Sequence, residues 1–168
     1  MSKYDVVFPV STDVISFTTV ALPYGWLGNM SAHTVYYDDK EFRTTEALFQ
    51  YLRFAGMPEV QEAIWSAKSP MAAKMVAKKH KALLVGVTEE RGPEDLDRMR
   101  LCLQLKVKDH KWMRQSLKGT GNSVLVEDVS KRKGGSGMFW GCAWSETEKA
   151  WKGENWLGRL WMEVRSGL

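Results

Sequence analysis

The sequence predicts a predominantly helical α+β domain with a small β-sheet, and three observations carry that expectation. From Thr44 onward, apolar residues recur at the three-and-four spacing of helices, and most runs open on a capping residue or a proline. Short β-branched and aromatic runs precede and interrupt these helices. The 168 residues suffice for one core without disulfides or a structural metal, so a single domain spanning residues 1–168 is expected.

Taken in order, residues 4–8, 14–20 and 34–37 read as strands of one small sheet, with Asp38-Asp39-Lys40 making a turn. Thr44 caps a helix that runs to Phe54 or Ala55, and Gly56 follows where a C-terminal glycine belongs. Pro58 opens a second helix. Ser69-Pro70 caps a third, with Met71, Ala72, Met75 and Val76 as its apolar stripe and Lys78-Lys79-His80 near its end. Pro93 begins the longest helix, with Leu96, Met99, Cys102, Leu103 and Leu105-Lys106-Val107 at core spacing. Residues 110–118 form a short helix leading into Gly119-Thr120-Gly121-Asn122, and Val124-Leu125-Val126-Glu127 is a strand. Like charges and glycines from Lys131 to Gly137 predict a mobile insertion loop at 130–137. Trp156, Leu157, Leu160, Trp161 and Val164 give the last helix an apolar stripe that must be buried.

Composition narrows the function classes. Cys102 and Cys142 have no ligand spacing, so a disulfide framework and a zinc knuckle are disfavoured and a cytoplasmic location is expected. Histidines 33, 80 and 110 share no metal-ligand spacing, and neither a metal nor a cofactor is implied. No basic segment leads into an apolar run near the start and no uncharged apolar stretch approaches eighteen residues, so secretion and membrane spanning are disfavoured and no membrane partner is expected. The net charge of +4 favours anionic ligands by steering without requiring nucleic acid. Eight tryptophans suit a large core and platforms for planar ligands. Trp26 and Trp140 are the candidate stacking surfaces, whereas Trp156 and Trp161 belong to a core stripe.

The most informative stretch is Thr45 to Phe54. Glu46, Gln50 and Arg53 fall on one side of an otherwise apolar helix, a carboxylate, an amide and a guanidinium in a row. Phe49 lies beside that row, and an acid against aromatic surface is partly desolvated, which suits it to proton transfer near neutrality. A surface salt-bridge stripe is the competing reading. Glu46 and Arg53 are separated by about 10 Å of helical rise, so a direct pair between them is strained and an anion-binding Arg53 is expected.

Five blocks then form a series: Gly25-Trp26-Leu27-Gly28-Asn29-Met30-Ser31, Thr45 to Phe54, Leu117 to Glu127, Phe139-Trp140-Gly141, and Gly153-Glu154-Asn155-Trp156-Leu157-Gly158 through Arg165. From about Phe17 to Leu168 the chain resembles the NADAR, or YbiA-like, family. That resemblance implies a single α+β domain and a hydrolase that cleaves an N-glycosidic bond. Its substrates would be ribosylamino-pyrimidine phosphates or ADP-ribose attached to guanine, so the expected partners are a small nucleotide or ADP-ribosyl substrate and a nucleic acid carrying ADP-ribosylated guanine. Glu46 matches the family's catalytic glutamate and Gln50 the glutamine one turn on. Gly28, Asn29 and Ser31 fall in the block near the ligand, Trp140 and Gly141 in a Trp-Gly block, and Asn155 on an asparagine preceding Leu157-Gly158. Lys106 matches a family lysine, although a lysine on a long amphipathic helix ordinarily snorkels to water. All of these, with Arg53, are implied substrate-binding positions around Glu46.

Three positions depart from the family pattern. Arg53 stands where a lysine is common, and a guanidinium that stays protonated cannot form an imine with an opened sugar. Leu96 replaces a tryptophan, and the aspartate expected before Trp140-Gly141 falls on Gly137 or is displaced by the glycine-rich insertion, with Asp128 able to substitute only if the loop folds back. Two alternatives therefore stand beside the enzyme: a catalytically impaired module binding ADP-ribose or a nucleotide, and a nucleic-acid binder led by Lys131, Arg132 and Lys133.

Overall fold

The computed structural model describes residues 7–8 and 13–168. Helices dominate and the described strands are short, so the chain adopts the α+β class. Contacts divide it into two compact units, one running from Asn29 to Lys111 and the other built from the segments on either side of it.

Strands β1 (Val7–Phe8) and β2 (Val14–Phe17) precede the central unit, whose first elements are the strands β3 (Val35–Tyr37) and β4 (Lys40–Phe42). They form an antiparallel hairpin in which Val35 faces Phe42 and Tyr37 faces Lys40. Its two turn residues, Asp38 and Asp39, take φ of 50° and 57°. A two-residue hairpin turn of this hand needs positive φ at both positions, which aspartate tolerates better than most residues.

Four helices follow: α1 (Thr45–Arg53), α2 (Pro58–Trp65), α3 (Pro70–Lys79) and α4 (Pro93–Asp109). The Thr44 hydroxyl accepts from the Ala47 N–H at 3.2 Å and the Ser69 hydroxyl from the Ala72 N–H at 3.1 Å, so both expected caps form. Helix α1 packs on α2, α3 and α4. Such surroundings explain why Thr45 through Gln50 are all buried, the polar ones included. The α3 stripe departs from expectation. Ala73 and Ala77 are its buried residues, while Met71 and Met75 are exposed. Two alanines let α3 approach α1 closely, a fit the larger methionines would prevent.

In the other unit, β2 (Val14–Phe17) and β5 (Val124–Glu127) pair in parallel, Val14 beside Val124 and Phe17 beside Glu127. Strand β1 (Val7–Phe8) joins β7 (Ala150–Lys152) and β6 (Ala143–Ser145) in an antiparallel sheet of order β1-β7-β6. Residues 4–6 of the first expected strand lie outside the described residues. The single small sheet expected from the early strands is thus, among the described residues, three separate pairings. The β6–β7 hairpin was not legible in sequence; Trp144 and Trp151 face each other across it with rings 5.4 Å apart.

Helix α5 (Lys111–Gly119) begins at the unit boundary, α6 (Gly137–Trp140) is a single turn, and α7 (Trp156–Ser166) packs on β5. Gly158 makes that packing possible, because a Cβ there would stand 2.0 Å from the Leu125 carbonyl oxygen. Leu157, Leu160, Trp161 and Val164 of α7 are buried as their spacing predicts, whereas Trp156, expected in the same stripe, is only half-buried because its indole N–H is donated to Glu154 Oε2 at 2.9 Å. Trp26 is buried in an edge-to-face cluster, 5.7 Å from Trp112 and 6.0 Å from Trp161. It is therefore core here, not an open stacking surface.

Candidate functional site

The central unit gathers the polar row of α1. The Glu46 N–H, one of the donors left over in the first turn of a helix, bonds to the Asn29 carbonyl at 3.1 Å. The Thr45 hydroxyl lies 3.2 Å from that same carbonyl and 3.1 Å from Asn29 Oδ1. Asn29 Nδ2 in turn reaches Met99 Sδ on α4 at 3.1 Å. The segment that carries Asn29 is thereby fastened to the start of α1, and two residues separated by sixteen positions meet.

Glu46 is 7% exposed. Gln50 Nε2 donates to Glu46 Oε1 at 3.0 Å, and Arg53 Nη1 reaches Gln50 Oε1 at 3.4 Å. The glutamine thus relays between acid and guanidinium, as the rise along the helix requires. A partner invisible to spacing completes the row: Arg53 Nε lies 3.3 Å from Asp95 Oδ1 on α4, a charge contact without an aligned hydrogen bond. Asp95 also accepts from Arg98 Nη1 at 3.0 Å and from the Arg91 N–H at 2.9 Å. In sequence Asp95 reads only as a first-turn acid of α4, and nothing local ties it to a residue on α1.

Lys106 corrects the snorkelling expectation. It is 0% exposed, and its Nζ donates to Ser31 Oγ at 2.8 Å. Burial lowers its pKa to about 7, because an ammonium stripped of water loses more than an amine does. Burial also pushes the Cys102 thiol up, and the Glu46 charge adds to that. The signal was in the sequence: Met99, Cys102, Lys106 and Val107 lie on one face at three-and-four spacing, and that face is the buried one. His33 and His110, far apart in sequence, stand edge to face at 5.6 Å. His33 is held below the usual histidine range by burial first, then by the charge of Lys106 and by His110.

The remaining candidates belong to the other unit, where close backbone approach dominates. Gly28 is half-buried and closes the one-turn helix Gly25–Leu27, its N–H on the Gly25 carbonyl at 3.0 Å. A Cβ on Gly141 would meet the Glu127 carbonyl oxygen at 2.3 Å, and one on Gly153 would meet the Gly141 carbonyl oxygen at 2.2 Å. Trp140 is half-buried, its ring 4.9 Å from that of Phe139. Asn155, expected at the ligand, is 0% exposed and its amide is engaged by backbone at both ends. Its Nδ2 donates to the Leu125 carbonyl at 2.8 Å and its Oδ1 accepts the Glu127 N–H at 3.2 Å. It sits at φ 53° as the residue before α7, so in this structure it joins α7 to β5.

The departures have physical reasons as well. At position 137 a Cβ would lie 2.2 Å from the Arg132 carbonyl oxygen, so the loop folds back too tightly for an aspartate there. Asp128 Oδ1 accepts the Ser130 N–H at 2.9 Å, which shapes the same loop. Leu96 is half-buried on the first turns of α4.

Among the described residues no helix is long and apolar enough to cross a membrane. The NADAR domain model matches residues 16–168. The chain is similar to an N-glycosidase of Nostoc punctiforme, 29% identical over 159 residues that cover 92% of both proteins. It is 28% identical over 173 residues to the chloroplastic riboflavin biosynthesis protein PYRR of Zea mays, covering 96% of this chain but only 26% of the maize protein. This chain thus spans about a quarter of that relative's length. In three dimensions it is similar to the E. coli protein YbiA, solved by NMR, with a TM-score of 0.70, 26% identity, and coverage of 94% of this chain and 86% of the other. With nearly its whole length matched by the family model and its fold shared with YbiA, the chain belongs to the NADAR domain family.

Proposed function

We propose that this protein is an N-glycosidase acting on a ribosylated nucleotide, either a ribosylamino-pyrimidine phosphate or an ADP-ribosylated guanine, with Glu46 as its acid/base. The observation that carries the proposal is a nearly dehydrated carboxylate, oriented by Gln50 at 3.0 Å, in the unit that also buries the Lys106 amine. In its protonated form this carboxyl hands a proton to the departing base nitrogen as the C1–N bond breaks and its electron pair leaves with the base, and the group is left as a carboxylate. Water then adds to the oxocarbenium-like C1 and loses a proton to the same carboxylate, giving free base and a sugar hydroxyl. Lys106, which titrates at about 7, supplies or takes a proton through Ser31. Asn29, Gln50 and Arg53 hold ribose hydroxyls and the anionic part of the ligand, the guanidinium being kept in place by Asp95. The N-glycosidase of Nostoc punctiforme and the maize riboflavin protein support this reading by their similarity.

The test is to incubate the protein with each of the two substrate classes and follow released base by mass spectrometry. Release with the native protein and its loss in Glu46→Gln are expected. The steric bar to an aspartate at position 137 favours a second reading, a module that binds ADP-ribose without cleaving it. Calorimetric binding of ADP-ribose with no base released from any substrate would select that reading.

A further inference from the structure

Charge is distributed very unevenly in this chain. Residues 63–88 contain five lysines and no Asp, Glu or Arg, whereas the whole chain carries a formal net charge of only +4. The rest of the molecule is therefore one unit negative, and this single segment, which holds α3, accounts for the basic character. Lys68, Lys74, Lys78, Lys79 and Lys81 are all exposed. Of these, Lys81 pairs with Glu90 at 2.5 Å, just past the segment's acidic boundary.

The same stretch exposes aliphatic side chains. On α3, Met71, Lys74, Met75 and Lys78 share one stripe, opposite the buried Ala73 and Ala77. Beyond α3 the chain turns at Gly86, which has φ 77°, and Leu83, Val85 and Val87 around that turn are exposed, Val85 to 83%. Loop tips are ordinarily polar, so an aliphatic tip next to a lysine-rich helix calls for a partner that is apolar and anionic together.

We propose that this segment is a peripheral docking surface for an anionic lipid bilayer, with the lysines against the headgroups and Met71, Met75, Leu83, Val85 and Val87 entering the headgroup–acyl boundary. Lying on a membrane needs no spanning helix, so the lack of one among the described residues does not oppose it. Nucleic acid fits less well. The segment has no arginine, and its one exposed ring, Trp65, is covered by Lys40 at 4.6 Å, with its indole N–H donated to the Glu41 carbonyl at 2.8 Å. That leaves no platform on which bases could stack. An acidic protein would need a pocket to take the projecting Val85, whereas a fluid interface accommodates it without one.

Co-sedimentation tests this on the whole protein, using vesicles of phosphatidylcholine alone and of phosphatidylcholine with phosphatidylserine at roughly two to one. The protein is expected to sediment with the anionic vesicles at least about tenfold more than with the neutral ones, and less so as salt rises. Lys74→Glu with Lys78→Glu should remove at least about tenfold of that binding. Val85→Asp, at a position too exposed to affect folding, should weaken it about fivefold with an unchanged Tm. No sedimentation, equal binding to both vesicle types, or binding indifferent to Val85→Asp would overturn the proposal. So would tighter binding to a single-stranded oligonucleotide than to the anionic vesicles, an outcome that would assign the surface to nucleic acid.

Discussion

Asn155 in one unit and the polar row of α1 in the other show two different ways of holding a buried polar side chain. Around β5 and α7, Asn155 directs both ends of its amide to backbone, one to the Leu125 carbonyl and the other to the Glu127 N–H. Along α1 and α4, four contacts join polar side chains to one another: Gln50 to Glu46, Lys106 to Ser31, and Arg53 to Gln50 and Asp95. A side chain engaged by backbone is part of the scaffold and cannot turn toward a ligand without unpairing the chain. A side chain engaged by another side chain can exchange that partner for a substrate group at small cost. Burial alone therefore does not mark a functional residue; the identity of its partner does.

Four experiments sharpen or break that contrast. The largest effect is expected from Glu46→Gln, which keeps the shape and should lower kcat for base release about 10²- to 10⁴-fold with an unchanged Tm; a variant retaining most of its rate would remove Glu46 from the chemistry. Next is Asp95→Asn, which strips the carboxylate shared by Arg53 and Arg98 and should cost about 3 kcal/mol in urea unfolding while raising KM. If only stability falls, Arg53 does not touch the ligand.

Asn155→Ala leaves the Leu125 carbonyl and the Glu127 N–H without their partner and should cost about 2–3 kcal/mol, with kcat of the folded fraction near the native value. A selective fall in kcat would return Asn155 to the site and break the contrast. The smallest effect is a slope. Because Lys106 titrates at about 7 when folded against 10.5 for an ordinary lysine, the unfolded chain holds more protons between those values. Stability should therefore rise with pH across that window, by at most about 1.4 kcal/mol per unit, and the destabilisation is fullest below pH 7. Lys106→Met should flatten the slope, as followed by denaturant midpoints at several pH values; an unchanged slope would show that this amine is not the source.

Much of the scaffold was legible along the chain. Thr44, Ser69-Pro70 and Pro93 marked helix starts, and the strand at Val124–Glu127 fell where its β-branched residues stand. The α3 stripe differs from its spacing pattern because hydrophobicity favours methionine over alanine, whereas close helix packing favours the smaller side chain. The β6–β7 hairpin has no glycine or proline in its connection and so leaves no turn signature along the chain. At the site, the row Glu46, Gln50 and Arg53 was readable because helical geometry fixes neighbours three and four apart.

What the sequence by itself determined, then, is the family, the class of fold, the capped helix starts and the polar row along α1, since local geometry repeats regardless of surroundings. Only the tertiary structure decided that Asp95 rather than Glu46 meets the Arg53 charge, that Lys106 is dry and bonded to Ser31, and that Asn155 holds two elements together. Those relations join residues tens of positions apart, and they depend on which water is excluded where helices pack, a quantity no spacing rule contains.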